Sequence, residues 1–141
     1  MLIASEKPLR QVVVGVVLLR DDGAVLLQHR DEIPTINDPG LWVFPGGHVE
    51  QGEAPAAGAA REFEEETCYR CARLRLLTRF SVPEGELLFF WDNYDGRQPV
   101  ECREGQALQF VSREDVKKLP HQNYLTRVWD LAAAAQAASR T

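Results

Sequence analysis

The chain has little of what disulfide-stapled, zinc-binding or membrane-spanning proteins need. It carries three cysteines, Cys68, Cys71 and Cys102, an odd number that completes no disulfide framework and supplies no second ligand pair for zinc. Cys68 and Cys71 form a C-x-x-C, but outside a thioredoxin-like context they read as ordinary free thiols. No run approaches the roughly 18 apolar residues of a membrane span, and the opening MLIASEKPLR lacks the long apolar core of a secretory signal. A cytoplasmic chain is expected. Basic residues are outnumbered, 16 against 21 acidic, for a net charge of −5. That argues against broad binding to a nucleic-acid backbone, which wants a basic stripe. Internal repeats are lacking too, and the one biased tract, LAAAAQAA, reads as a helical tail.

What is present fits one globular domain over residues 1–141. With 45% hydrophobic and 26% charged residues, the chain can bury a single core without staples. QVVVGVVLLR from Gln11 to Arg20 is β-branched and almost wholly apolar, the pattern of a strand buried on both faces. Asp21-Asp22-Gly23 then turns the chain into a second strand, Ala24 to His29, so the pair should be a hairpin at the centre of a sheet. Arg30 to Gly40, with two prolines and several Asp and Asn, is a loop. Its first residue, Arg30, is a candidate phosphate or substrate contact, or else a surface Arg paired with a nearby Asp.

Leu41 to Phe44 is a short strand stopped by Pro45, and Gly46-Gly47 reads as a turn. A helix follows, opening near Ala54 with Pro55 at its first position. Ala56, Ala60, Phe63 and Thr67 should form its buried stripe, with a bulky residue at Ala60 felt at the acidic face opposite. That face carries Glu62, Glu65 and Glu66 at i, i+3 and i+4, whose carboxylates project together. Like charges there repel, and the C-terminal half of a helix disfavours anions, so something cationic should sit among them. Oxygen ligands without His or Cys suit Mg²⁺ or Mn²⁺. The alternative is a solvated face balanced by Arg61.

Later segments are simpler. Cys71 to Val82 and Leu87 to Tyr94 read as strands joined at Pro83-Glu84-Gly85, with Trp91 and its neighbouring phenylalanines in the core. Ala107 to Val111 is a short strand, Ser112 caps a helical turn reaching Lys118, and Asn123 to about Ser139 is a last helix, frayed at its alanine-rich end.

Gly47, five residues, Glu53, seven residues, then Arg61-Glu62-Phe63, one residue, Glu65-Glu66 resembles the signature of the Nudix hydrolase family. Even without Phe63, the six residues Gly47, Glu53, Arg61, Glu62, Glu65 and Glu66 at this spacing arise by chance on the order of once in 10⁵ chains of this length. The chain departs from the signature only at its end, where Cys68 and Tyr69 replace a glycine and an aliphatic residue. The glycine would supply a left-handed helix cap that Cys adopts at a cost of about 1 kcal/mol.

The resemblance implies a Nudix α/β/α sandwich, a mixed β-sheet between helices. It also implies that the Gly46 carbonyl joins Glu62, Glu65 and Glu66 as metal ligands. In Arg103-Glu104-Gly105-Gln106, Glu104 resembles a further carboxylate ligand of the MutT type. Leu119-Pro120, two residues, Asn123 resembles a base-reading position of that type, although Asn123 is equally an N-cap candidate. Glu62 or Glu104 is the implied general base. Arg61 is implied to orient Glu65 or Glu66, and Glu53, behind Gly47, to buttress the turn or ligate through water.

The implied activity is metal-dependent cleavage of a phosphoanhydride in a nucleoside diphosphate linked to another moiety, with an oxidised or ordinary nucleoside triphosphate giving monophosphate and pyrophosphate as the leading case. A nucleotide-sugar pyrophosphohydrolase and a non-catalytic nucleotide-binding module are the alternatives. The expected partner is a small nucleotide, without nucleic acid or membrane, and a homodimer is left open.

Overall fold

A computed structural model describes residues 11–140, so the expectation drawn from MLIASEKPLR lies outside the described residues. The elements run β1 (Gln11–Leu19), β2 (Val25–His29), β3 (Trp42–Val43), β4 (Gly46–His48), α1 (Pro55–Thr67), β5 (Arg75–Val82), β6 (Gly85–Asn93), β7 (Ala107–Val111), a 3-10 turn (Asp115–Lys118) and α2 (Leu125–Ser139). They build one mixed sheet in the order β3-β2-β1-β6-β5, with β4 added on β1 and β7 on β2.

β1 is the middle of this sheet because both its faces are apolar. Val14, Val16 and Leu18 point to a cluster with Ala59 and Phe63 of α1. Val17 and Leu19 point to the other, with Leu125, Val128, Trp129 and Ala132 of α2. One helix therefore covers each face, giving the α/β/α sandwich. β1 pairs with β2 antiparallel, as a hairpin should, and with β6 in parallel from Gln11↔Gly85 to Leu19↔Asn93.

Several expectations need correction. The Gly46-Gly47 pair is a strand, not a turn. It lies antiparallel to β1, with Gly15 opposite Gly46 and Val14 opposite Gly47. A Cβ on Gly46 would collide with the Val14 carbonyl, so glycine serves close backbone approach here rather than a left-handed conformation.

The α1 stripe is Gly58, Ala59, Phe63, Glu66 and Thr67. Ala56 is exposed and Ala60 only half-buried, so Ala59 is the position where bulk would be felt, and one acidic residue faces inward with the apolar ones.

β5 begins at Arg75 rather than Cys71, because the Arg73 N–H is taken by the Asp92 side chain (3.0 Å) instead of a ladder partner. β6 begins at Gly85 and not Leu87, leaving Pro83-Glu84 as the turn. α2 begins at Leu125 after Tyr124, so Asn123 is not its N-cap. Its end is pinned, not frayed: Gln136 is buried and donates to Asn93 Oδ1 at 2.8 Å. The Cys71 thiol is pushed up to about 12 by burial, then by the charges of Asp92 and Glu64, which leaves it unreactive.

α1 ends where the missing glycine would have ended it. Cys68 takes the left-handed conformation (φ 65°, ψ 7°) and donates its N–H to the Glu64 carbonyl at 2.9 Å. A Cβ in that region costs about 1 kcal/mol, so Cys68→Gly should raise unfolding free energy by about that much and Tm by a few degrees. A thermal melt checks this.

Candidate functional site

The site begins where β4 crosses β1 under α1. A Cβ on Gly47 would fall on the Glu62 carboxylate, so the bare glycine backbone lets the acidic side chains of α1 lie directly against the strand.

Arg61 organises half of those acids. Its Nε donates to Glu53 Oε2 at 2.8 Å and Nη2 to Glu53 Oε1 at 3.0 Å, a two-pronged pair. Nη1 reaches Glu62 Oε1 (3.1 Å) and Glu65 Oε1 (3.2 Å), and Nη2 also reaches the His48 carbonyl (3.1 Å). One planar guanidinium thus ties the loop before α1, the end of β4 and two glutamates together. Hydrogen bonds from Arg61, and then from the Glu50 N–H, hold Glu53 down at about 2. The Arg61 guanidinium is raised in turn, chiefly by Glu53.

Glu66 has no such partner. Its carboxylate is buried, 8% exposed, and accepts from the Gly46 N–H at 3.1 Å and, at the 3.5 Å limit, from Gln28 Nε2. Among the described residues no ion pair reaches it. Its other neighbour is Glu104, a second carboxylate. Burial first, then contact with Glu104 and the charges of Glu104 and Glu62, raise Glu66 well above the ordinary carboxylate range, against the Gly46 amide. Glu62 is raised as well, by burial ahead of the opposing pull of Arg61. A buried anion beside a second one is unfavourable unless it binds a proton or a cation.

An all-oxygen set of carboxylates at the mouth of a cavity fits a hard divalent cation that keeps water and substrate oxygens as further ligands. Among the described residues no three acidic, His or Cys groups are drawn into a closed metal cage. Glu65 is turned to Arg61 and is 58% exposed.

Glu62, Glu66 and Glu104, with Gly46, Gly47 and Arg30, line one cavity of about 840 Å³. Arg30 is fixed there by its Nε bond to the Asn37 carbonyl (2.8 Å) rather than by an Asp. Glu53 and Arg61 stand behind the lining and brace it. Asn123 is exposed and outside the lining; its neighbours Gln122 and Tyr124 face the cavity instead. Aromatic rings share the lining, with Phe89 edge-on to Phe44 (centroids 5.8 Å apart) and tilted to Tyr124 (5.5 Å). Trp91 is core, as expected, under the Arg75 guanidinium at 4.2 Å.

Sequence reasoning passed over Gln28. It is buried and donates to the Glu104 carbonyl at 3.1 Å, so it joins the two carboxylate-bearing segments. The signal was an amide inside the apolar run VLLQH, since a buried amide must find partners.

The Glu53–Arg61 pair makes stability depend on acid. Glu53 is held below its ordinary 4.5, at about 2, so the stability it gives is present above pH 4.5 and lost as pH falls towards 2. In acid titrations of unfolding free energy, Glu53→Gln should have lower stability at neutral pH and a shallower decline across that window than the parent. An unchanged slope would show that the pair is not formed in solution.

A family model described as NUDIX domain matches residues 9–129. A Bacillus subtilis (strain 168) protein with the provisional name 8-oxo-dGTP diphosphatase is 31% identical over 100 residues, which is 69% of this chain and 63% of that one. A CMP-5'-(N-acetyl-N-hydroxy-3-aminopropyl)phosphonate hydrolase of Streptomyces rubellomurinus (strain ATCC 31215) is 30% identical over 112 residues, 74% of this chain and 53% of that protein. The chain thus spans about half to two thirds of the length of these relatives. Among solved structures, a MutT from work on Aliivibrio salmonicida and Vibrio cholerae superposes with a TM-score of 0.75 at 23% identity, over 89% of this chain and 98% of that one. The NUDIX domain of Shewanella oneidensis NrtR, complexed with ADP ribose, gives a TM-score of 0.77 at 18% identity, over 96% and 94% of the two chains. The fold is the Nudix fold, and with a family model covering most of its length the chain belongs to the Nudix family.

Proposed function

We propose that this protein is a pyrophosphohydrolase that cuts a phosphoanhydride bond in a nucleoside diphosphate linked to a further group, with Mg²⁺ or Mn²⁺ as cofactor. The leading substrate is a nucleoside triphosphate, oxidised or not, cleaved to monophosphate and pyrophosphate. The observation that carries this reading is Glu66, a buried carboxylate set against Glu104, which no ion pair among the described residues balances.

The residues that would hold the cation are Glu62, Glu66, Glu104 and the Gly46 carbonyl, with Glu65 joining by leaving Arg61. When bound, such an ion neutralises the diphosphate and lowers the pKa of a coordinated water. The chain does the rest. Arg61 and Glu53 keep Glu62 and the end of β4 in place, and Arg30 meets a phosphate of the substrate. Glu62 or Glu104 takes the proton from the attacking water, while the Phe89–Tyr124 wall receives the apolar face of a base. A cytoplasmic location suits nucleotide substrates, and among the described residues no helix is long and apolar enough to cross a membrane.

Two readings compete: a nucleotide-sugar hydrolase, and a sensor that binds without turnover. The first shares the phosphate end of the site and differs in the preferred substrate. The second sits poorly with five intact signature residues, Glu53, Arg61, Glu62, Glu65 and Glu66. Release of phosphate or pyrophosphate over a panel of nucleoside triphosphates and nucleotide sugars, with Mg²⁺ or Mn²⁺, separates all three; no turnover of any compound would favour the sensor.

Glu66→Gln tests the carrying observation from two sides. Removing a buried, unbalanced charge should raise Tm in metal-chelated buffer, while kcat with Mg²⁺ should fall by roughly two orders of magnitude or more. Retained kcat, or a lower Tm without metal, would count against the assignment.

A further inference from the structure

Glu62 and Glu66 ride on α1, whereas Glu104 sits in the connection from β6 to β7, residues 94–106, which contains no helix or strand. A carboxylate set against Glu66 on irregular backbone would swing away, because like charges repel. Something must hold the connection, and the holding is done at the end of α1. The Glu101 N–H donates to the Thr67 carbonyl (2.9 Å) and the Arg103 N–H to the Glu66 carbonyl (3.1 Å), so the connection takes up two carbonyls that a helix end leaves without partners. Upstream of these bonds, two side chains secure its first turn. The Tyr69 hydroxyl accepts from the Asp95 N–H (2.9 Å) and donates to the Asn93 carbonyl at 3.4 Å. Gln98 bridges the backbone of Arg70: its Oε1 accepts from the Arg70 N–H and its Nε2 donates to the Arg70 carbonyl, both at 2.9 Å, as a neighbouring strand would. Tyr69 is one of the two positions where the chain departs from the Nudix signature. The aliphatic residue expected there could fill the buried space against Phe63 and Tyr94, but it would offer the Asp95 N–H no acceptor.

We propose that Tyr69 and Gln98 are positioning residues for Glu104: by tethering the start of the β6–β7 connection to the segment after α1, they hold that carboxylate against Glu66 before a cation arrives. The inference rests on the ligand role proposed above for Glu104 and names what keeps that ligand in place. The far end of the connection is fixed separately, by the Gln28 amide on the Glu104 carbonyl (3.1 Å) and by the Gln106 N–H on the His29 carbonyl (2.7 Å). With both ends fixed, Glu104 retreats from Glu66 only by breaking a hydrogen bond. A site assembled in advance binds its ion without first losing conformational freedom. Loosening the tether therefore weakens ion binding even though neither Tyr69 nor Gln98 lines the cavity.

Tyr69→Phe removes the hydroxyl and keeps the ring, and Gln98→Ala cuts the tether at a second, separate point. In metal-free buffer, amide exchange at Glu101 and Arg103 should speed up by at least about tenfold in either variant, while amides in the middle of α1 keep their protection. Calorimetric titration with Mn²⁺ alone should give a dissociation constant about tenfold higher. With Mg²⁺, kcat for the best nucleotide of the panel should fall by a similar factor while its KM stays within about twofold. Each change is then repeated in a Glu104→Gln background, where a tether acting through Glu104 has nothing left to position and should alter Mn²⁺ binding and kcat by less than about twofold. Parent-like exchange, or effects that add in full to those of Glu104→Gln, would show that Tyr69 and Gln98 serve the fold alone and would overturn the inference while leaving the hydrolase standing. If the parent binds no Mn²⁺, or Glu104→Gln behaves as the parent does, Glu104 is no ligand and the inference falls together with the reading it rests on.

Discussion

Everything at the site turns on one unfavourable fact, the burial of the Glu66 carboxylate beside Glu104. Desolvation and like charge both oppose ionisation there. Neutral donors, the Gly46 N–H and the Gln28 amide, position a Glu66 carboxylate oxygen without cancelling its charge, and the same amide holds the backbone carbonyl of Glu104. A core built only for stability would put an apolar residue at this point of the α1 stripe, next to Ala59 and Phe63. The cost is tolerable because those apolar neighbours and the two clusters around β1 carry the fold.

Arg61 shows the contrasting solution. The same helix carries glutamates at positions 62 and 65 that share one guanidinium, itself also locked to Glu53 and to the His48 carbonyl. That network joins three segments: α1, the loop before it and the end of β4. It holds Glu62 and the end of β4, which line the same cavity as Glu66. Stabilising charge and reactive charge are thus separated by a single helical turn, and the inward tilt of Glu66 decides which is which.

Much of this was legible in the residues. The apolar β1, the helix from Pro55 and the short strand after Gln106 all follow from local periodicity and turn chemistry, and each lies where its pattern put it. The errors have a common cause. Gly46-Gly47 reads as a turn because glycine usually means backbone freedom, yet here it means contact with Val14 and Glu62. In the α1 stripe Phe63 and Thr67 are buried as expected, but its first half is Gly58 and Ala59 rather than Ala56 and Ala60, as helical periodicity fixes the width of a buried face better than its phase. Asn123 resembles a base reader by its spacing from Pro120, but the start of α2 at Leu125 directs its neighbours Gln122 and Tyr124 to the cavity and leaves Asn123 outside.

The sequence by itself determined the family, the two-faced central strand and the identity of the acids, because those depend on residue types at short, fixed separations. Only the tertiary structure decided which acid is buried and unpaired, that Arg61 neutralises some of them and not Glu66, and that Gln28 and Glu104, 76 residues apart, meet beside it. Charge balance and cavity lining depend on which side chains converge from distant segments, and no local pattern encodes that convergence.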